Sequence, residues 1–364
     1  MRVFQNCSAG LRYAGLDQSA QRGMTFRQRI ARVHELGFDA VSTLGPALTG
    51  DERVFYTLGD NVDLQRAWAR EKGLPEGASA EDILLAQIEE HRSEVFYNMH
   101  LARFDSRFAA RLPGSVKAKI AWHAVPPGAI DMAGYLMVCN FPAILESYRT
   151  RGLRAAYFAP GHDPALDAVA QNDQRDIDVL FVGGYSQYHR SRALVLEAVA
   201  ALGDRARVVY ALSRSRLTRL AETPLGLIGP LRRHRRPPAI RRVSRDPVFG
   251  RAYYDLLGRA KIVLNGGIDF GGGDRGNMRC WEAMGARALL VTDEGNYPEG
   301  MTEGVTLRKY RTPEEASQII EECLADHEGR QRVADAGHAM IKTRYSKSAQ
   351  WSHFQRVVTD YCSS

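Results

Sequence analysis

Residues 261–294 read KIVLNGGIDFGGGDRGNMRCWEAMGARALLVTDE, and the fold follows from this stretch. Lys261 to Asn265 is a short β-branched and aliphatic run, suited to a buried parallel strand. Gly266, Gly267, Gly271, Gly272 and Gly273 then let the backbone approach a partner closely. Asn277 to Gly285 is helix-compatible, with Met278, Trp281, Ala283 and Met284 on its apolar side, and Ala288 to Thr292 is a second buried strand. A glycine loop that runs into a helix N-terminus presents unpaired N–H groups and the positive end of the helix dipole, which suits a phosphate. Two carboxylates, Asp274 and Glu282, flank the start of that helix.

The rest of the chain repeats the alternation. Strands are expected at Arg2 to Asn6, Asp39 to Ser42, Glu94 to Met99, Ala118 to His123, Leu136 to Cys139 and Ala155 to Phe158. Helices are expected at Phe26 to Leu36, Val62 to Lys72, Ala80 to Glu90 and Ala143 to Arg151, with Ser79 and Asp82 as a capping pair and Gly37 and Gly152 as stops. A second series opens with Asp178 to Val182, continues through Gly183-Gly184 and leads to a helix from Ala193 to Leu202. The Gly-Gly pair is not a G-x-G-x-x-G, so a nicotinamide-type site is not supported. Strands alternating with helices predict an α/β chain with two doubly wound, Rossmann-like parallel sheets. The length, 364 residues, fits two domains of ~150 residues each. Pro160 to Pro164 is the linker candidate, which gives domains at 1–165 and 166–345 and a C-terminal helix in 346–364. That helix carries Trp351, Phe354, Val357, Val358 and Tyr361 at near-helical spacing, a packed face.

Composition excludes several classes. Apolar content of 45% and charge of 25% are those of an ordinary globular protein, and no apolar run approaches the ~20 residues of a membrane span. The N-terminal MRVFQNCSAG lacks a signal pattern. Five scattered cysteines without a C-x-x-C indicate neither zinc site nor disulfide framework, and a reducing cytoplasm is the simplest setting. The net charge of +7 is uneven. Between Glu222 and Asp246 no acid occurs, while Arg232, Arg233, Arg235, Arg236, Arg241, Arg242 and Arg245 do. The interval reads either as a basic surface for an anionic partner, with peripheral contact at the inner membrane face as one form, or as a solvated loop broken by Pro237-Pro238. The basic–aromatic interleaving of nucleic-acid platforms is missing there, so nucleic acid is not the expected partner.

The motifs resemble the donor half of a GT-B glycosyltransferase, nearest to the CgeB-like (spore-maturation-type) group. Asn265, Arg279, Trp281, Glu282-Ala283, Gly285 and Thr292-Asp293 follow that group's order, as do the Tyr310 to Glu315 helix start and Ala334 to Gly337. Asp176 to Gly184 with Tyr188-His189-Arg190 resembles the first strand and loop of the same domain, so the likeness spans about 175–350. The resemblance implies two domains facing a cleft, the first for the acceptor, the second for a nucleotide-diphosphate-sugar donor. The C-terminal helix would return to the first domain and the halves would close about the linker. It also implies a hexosyltransferase-type reaction with no metal and no cofactor, onto a carbohydrate or lipid-linked acceptor, in surface polysaccharide or glycolipid assembly.

On this basis the donor residues are Gly183, Gly184, Arg190, Asn265, Asp274, Arg279 and Glu282, with Arg192 as a second phosphate candidate. Glu282 would grip the ribose and Asp274 the sugar, although the family's Glu-x7-Glu is here Asp-x7-Glu. The ordinary alternatives are a helix N-terminal acid for Glu282, surface coverage for Arg190, and an Arg279–Asp274 pair. The general base is sought at the ends of first-half strands, where His100 is preferred over His123. Arg12, Tyr13 and Asp17 follow the first strand and are candidate acceptor contacts. A non-catalytic nucleotide-sugar or anionic-polymer binder and a nucleotide-sugar epimerase remain as competing functions.

Overall fold

The computed structural model describes residues 1–8, 23–38, 40–185, 189–267 and 272–363. The chain divides into two units. The first comprises Met1–Gly161, a short piece ending at Asp274 and the C-terminal segment from Tyr345; the second runs from His162, with Arg275–Arg344. Each is built on a six-stranded parallel sheet, as the alternation of elements predicts.

In the first unit β1 (Val3–Cys7), β2 (Val54–Leu58), β3 (Val95–Asn98), β4 (Ala118–Trp122), β5 (Leu136–Cys139) and β6 (Ala155–Tyr157) lie in the order β2-β1-β3-β4-β5-β6. The strands bury both faces. Val3, Val95, Tyr97, Leu136 and Val138 enter one core cluster, while their neighbours Phe4, Phe96, Met137 and Cys139 enter the other. That is the two-residue period of a strand covered on both sides. Local signals set the helices between them. Ser79 and Asp82 form the expected capping box of the Ala80–His91 helix, and Thr25 with Gln28 does the same for Phe26–Glu35.

One expected strand is a correction. Asp39 lies outside the described residues, and residues 40–42 form a turn before the short Gly45–Leu48 helix. Their carbonyls are not free to join a ladder. Lys347 Nζ takes those of Ala40, Val41 and Thr43 at 2.6, 3.1 and 2.7 Å, and Gly161 N also donates to Val41. The strand that pairs with β1 is β2 instead. Lys347 opens the final helix, Lys347–Ser363, whose Phe354 is fully buried against Tyr97 and Phe158 within the same unit.

In the second unit β7 (Ile177–Gly184), β8 (Val208–Ser213), β9 (Ser244–Arg245), β10 (Ala260–Leu264), β11 (Leu289–Asp293) and β12 (Arg308–Tyr310) lie in the order β12-β11-β10-β7-β8-β9. Gly183 and Gly184 are the last residues of β7, paired with Leu212 and Ser213, rather than the start of a loop. The strand order reverses between β7 and β10, and in the first unit between β1 and β3. In open α/β sheets ligands bind at the carboxyl ends of the strands beside such a reversal.

Candidate functional site

The reversal in the second unit is where the sequence motifs converge. β10 ends at Leu264, and Asn265 follows it, buried to 6% exposure. Its amide is fully used. Nδ2 donates to Thr292 Oγ1 at 3.1 Å, and Oδ1 accepts from Nδ2 of Asn277, the N-cap of the Met278–Gly285 helix, at 3.1 Å. The carbonyl of Asn265 accepts from Tyr310 OH at 2.7 Å. Asn265 therefore ties β10, β11, β12 and the helix start to one another, and it acts on any ligand through that frame.

The next tie is Asp293, at the end of β11. Its Oδ1 accepts from Gly267 N at 2.9 Å and its Oδ2 from Arg275 Nε at 2.5 Å. A β-carbon on Gly267 would stand 2.9 Å from the Arg275 side chain and 3.0 Å from Asp293 Oδ2, so a larger residue there would push the pair aside. Beyond it Gly272 and Gly273 have φ of +57° and +101°, backbone that other residues rarely adopt.

These ties frame a cavity of about 780 Å³ along the carboxyl edge of the second sheet. Its walls are the first turn of the Arg190–Ala200 helix, Gly266 and Gly267 after β10, Asp293 and Glu294 after β11, and Tyr310 and Arg311 after β12. Four arginines line it: Arg190, Arg192, Arg275 and Arg311. Arg190 is exposed at the rim, whereas Arg192 is half-buried with its stem against Gly266. Arg192 Nε is buried and has no hydrogen-bond partner among the described residues. Burial lowers the pKa of this guanidinium, opposed by Tyr310 and Asp293 nearby. A buried cation with an idle N–H is costly alone and is stabilised by an anion that accepts from it. Arg192 is thus better placed for a phosphate than Arg190. Arg275 lines the same cavity but is paired with Asp293; sequence reading passed over it, since Arg-Gly in a glycine-rich loop carries no distinctive signal. Tyr188 and Gly271 lie outside the described residues.

Arg279 and Glu282 stand apart from those walls, one helical turn on. Tyr253 OH donates to Glu282 Oε2 at 2.7 Å, Arg279 Nη1 bonds both Tyr253 OH and Glu282 Oε2, and Arg279 Nη2 donates to the carbonyl of Val182 at 2.9 Å. Arg279 is thereby fixed to the end of β7, and Glu282 keeps its second carboxylate oxygen outside these bonds. Asp274 is grouped with the first unit, where its Oδ2 accepts from Ala143 N at 2.7 Å at the start of the Pro142–Arg149 helix. A carboxylate suits that position, since it meets an orphan amide and the positive end of the dipole. The structure therefore brings Arg190 and Arg192 into one wall and puts Glu282 and Arg279 in an adjoining cluster, while Asp274 Oδ2 takes Ala143 N.

In the first unit the corresponding reversal holds His100, just after β3. Its Nδ1 is buried without a hydrogen bond, 3.7 Å from Asp60 Oδ2, and Asp60 accepts from Ser8 Oγ at 2.6 Å. Ser8, Asp60 and His100 follow β1, β2 and β3, three adjacent strands. Burial lowers the His100 pKa, Asp60 raises it and Arg103 lowers it, so the imidazole is neutral near pH 7. His123, after β4, is held differently: its Nδ1 lies 2.5 Å from the buried Tyr148 hydroxyl, and burial lowers its pKa too. Asp60 was not legible in sequence, because it meets His100 only through the pairing of β2 with β1. Arg12, Tyr13 and Asp17 lie outside the described residues. Among the described residues no group of three His, Cys, Asp or Glu side chains could hold a metal ion.

Comparison with known proteins bears on the fold and on residues 190–356. Residues 190–356 match the model of the family described as glycosyl transferase-like. Anabaena HepE, solved in complex with UDP-glucose, superposes with a TM-score of 0.60 at 13% identity over 99% of this chain and 100% of its own. AviGT4, a glycosyltransferase involved in avilamycin A biosynthesis, gives 0.60 at 17% identity over 100% and 98%. A Rickettsia africae glycosyltransferase gives 0.56 at 10% over 99% and 98%. No curated protein sequence matches. With its two parallel six-stranded sheets the chain has the GT-B glycosyltransferase fold, and its residues 190–356 are similar to the glycosyl transferase-like family.

Proposed function

We propose that the protein is a glycosyltransferase that moves a sugar from a nucleoside-diphosphate-sugar donor to a hydroxyl of a carbohydrate or lipid-linked acceptor. The observation that carries this reading is the arginine-lined cavity at the carboxyl edge of the second sheet, with the buried, idle Nε of Arg192 in its wall. A nucleoside diphosphate leaves with charge that must be stabilised, and Arg192, Arg190 and Arg275 provide it in a partly dehydrated site. Glu282, with one carboxylate oxygen held by Tyr253 and Arg279, offers the other to a ribose hydroxyl. His100 would take the proton of the acceptor hydroxyl, oriented by Asp60. The motif order that resembles the CgeB-like group supports placing the protein there, in cytoplasmic assembly of a surface polysaccharide or glycolipid. HepE binds UDP-glucose, so a UDP-sugar is the first donor to try.

The test is thermal stabilisation by UDP, GDP, dTDP and CMP and by their sugars, with wild type, Arg192→Ala and Glu282→Ala in parallel. Ligand at a hundred times its Kd adds about 2.7 kcal/mol to stability. One diphosphate should shift the wild type selectively, and Arg192→Ala should bind it about 10- to 100-fold more weakly, the cost of a charge-assisted hydrogen bond. Wild type unmoved by every nucleotide would overturn the donor reading. A shift without hydrolysis or transfer of any nucleotide sugar would favour a binding protein.

A further inference from the structure

Between β8 and β9 the chain makes a detour that the sheet does not require. Two adjacent parallel strands need one crossover helix, and Pro238–Val243 supplies it, with Ile240 fully buried against the unit's core. The preceding residues, 215–234, form three further short turns: Arg216–Ala221, Pro224–Leu227 and Gly229–His234. They bury Ala221 and Gly226 against each other and little else, since a β-carbon on Gly226 would collide with the Ala221 backbone. The outcome is an apolar display. Leu225, Leu227 and Ile228 are 63%, 60% and 78% exposed, and Leu217 and Leu220 are exposed as well. The display is held in shape from beneath. Arg235 Nη1 donates to the carbonyls of Ala221 and Thr223 at 2.6 and 2.8 Å, and buried Arg236 forks onto Glu222 at 2.5 and 3.0 Å.

The same four bonds sort the basic stretch into two kinds of arginine. Arg235 and Arg236 are spent internally, and Arg242 pairs with Asp204. Arg216, Arg219, Arg232 and Arg233 remain exposed on the turns that carry the leucines. The one acid within 215–234, Glu222, is already neutralised by Arg236 and Arg214. Exposed large apolar side chains ringed by unopposed cations suit a surface with an apolar interior and an anionic skin, and they are ill suited to a second copy of the same cationic patch, which would bring like charges together. No helix among the described residues is long and apolar enough to cross a membrane, so the contact is peripheral.

We infer that residues 215–234 are a membrane-docking element that inserts Leu225, Leu227 and Ile228 into an anionic lipid surface, with Arg232 and Arg233 at the headgroups. The inference stands apart from the donor reading, because lipid binding is measured with no nucleotide present.

The test is co-sedimentation of the full chain with phosphatidylcholine vesicles, alone or with phosphatidylglycerol. Wild type should pellet with the anionic vesicles, less so at high salt, and poorly with neutral ones. Arg232→Ala/Arg233→Ala should weaken partitioning by about 25-fold, at roughly fivefold per cation near the surface. Leu225→Ser/Leu227→Ser/Ile228→Ser should weaken it at least about tenfold. Val305→Ser, at another exposed apolar site, is the control and should bind as wild type. Unchanged melting temperatures establish that the variants fold. Failure of wild type to pellet, pelleting that the triple variant leaves unaltered, or a wild-type dimer that the triple variant dissociates without lipid would each overturn the inference.

Discussion

Asp60 and His100 show how a single residue sets a protonation state. Burial depresses the His100 pKa below the ordinary ~6.5, and the Asp60 carboxylate 3.7 Å away partly restores it. If His100 is the base, activity requires the neutral ring, so kcat/KM falls on acidification through the His100 pKa of the free enzyme. Asp60→Asn removes the attraction that favours the cation. The acid limb of kcat/KM should then move to lower pH, while kcat drops because the ring loses its orienting partner. A drop in kcat with an unmoved limb would mean that Asp60 only shapes the loop, and an unmoved limb in His100→Gln would remove His100 from the chemistry. The corresponding residue on the donor side is Arg192, whose stem packs where Gly266 has no side chain, with Tyr310 of β12, three strands from β7, beside it. Arg190 looked better in sequence because it matches the motif. Arg192 is better placed because the fold buries it, and burial comes from distant residues.

At the scale of elements, what was legible had local causes. The strand–loop–helix–strand at 261–294 reads directly because both strands are continuous apolar runs and Asn277 caps the helix between them. The Ser79–Asp82 capping box is a four-residue signal and appears as written. Asp39 to Ser42 misled because a short apolar run says nothing about who claims its carbonyls, and here the claimant, Lys347, lies some 300 residues away. Val54–Leu58 went unread for the converse reason: five residues carry too little periodicity to announce a strand until β1 pairs with it. Lys347 therefore deserves a test as the clip between the final helix and the turn at 40–43. Lys347→Met keeps the stem but removes this donor from the carbonyls of Ala40 and Thr43, while Val41 keeps Gly161 N; the change should cost about 2–3 kcal/mol. The loss would appear as a lower urea midpoint at unchanged slope. Gln350→Ala, which removes a weaker 3.2 Å bond to Val41, should cost less. A Lys347→Met midpoint equal to wild type would mean that Phe354 and its neighbours hold the helix unaided.

For the molecule as a whole, the histidines make stability depend on pH in a defined direction. His34, His91, His100, His123, His162, His338 and His353 all have lowered pKa values, each chiefly through burial. Depressed folded values mean that, between the folded and the ordinary pKa, the unfolded chain binds more protons than the native one. Stability then rises with pH through that window and is lost as pH falls below about 6.5. His34 is the largest single contributor. Its pKa is pulled down to about 4, its Nε2 is buried without a partner, and its ring lies edge-on to Tyr56 at 4.7 Å. Alone it accounts for at most about 3 kcal/mol between pH 6.5 and 4. Carboxylates with lowered values, such as Asp176 at about 2, stay ionised over most of that window, so the early loss belongs to the histidines. Five of the seven lie in the first unit, which should therefore melt first on acidification. Calorimetry at pH 7.5 and 5.5 should show the lower transition falling, and His34→Gln should shrink that fall while leaving the pH 7.5 value nearly in place. A profile flat down to pH 5 would mean that these rings are hydrated in solution and that their burial carries no such cost.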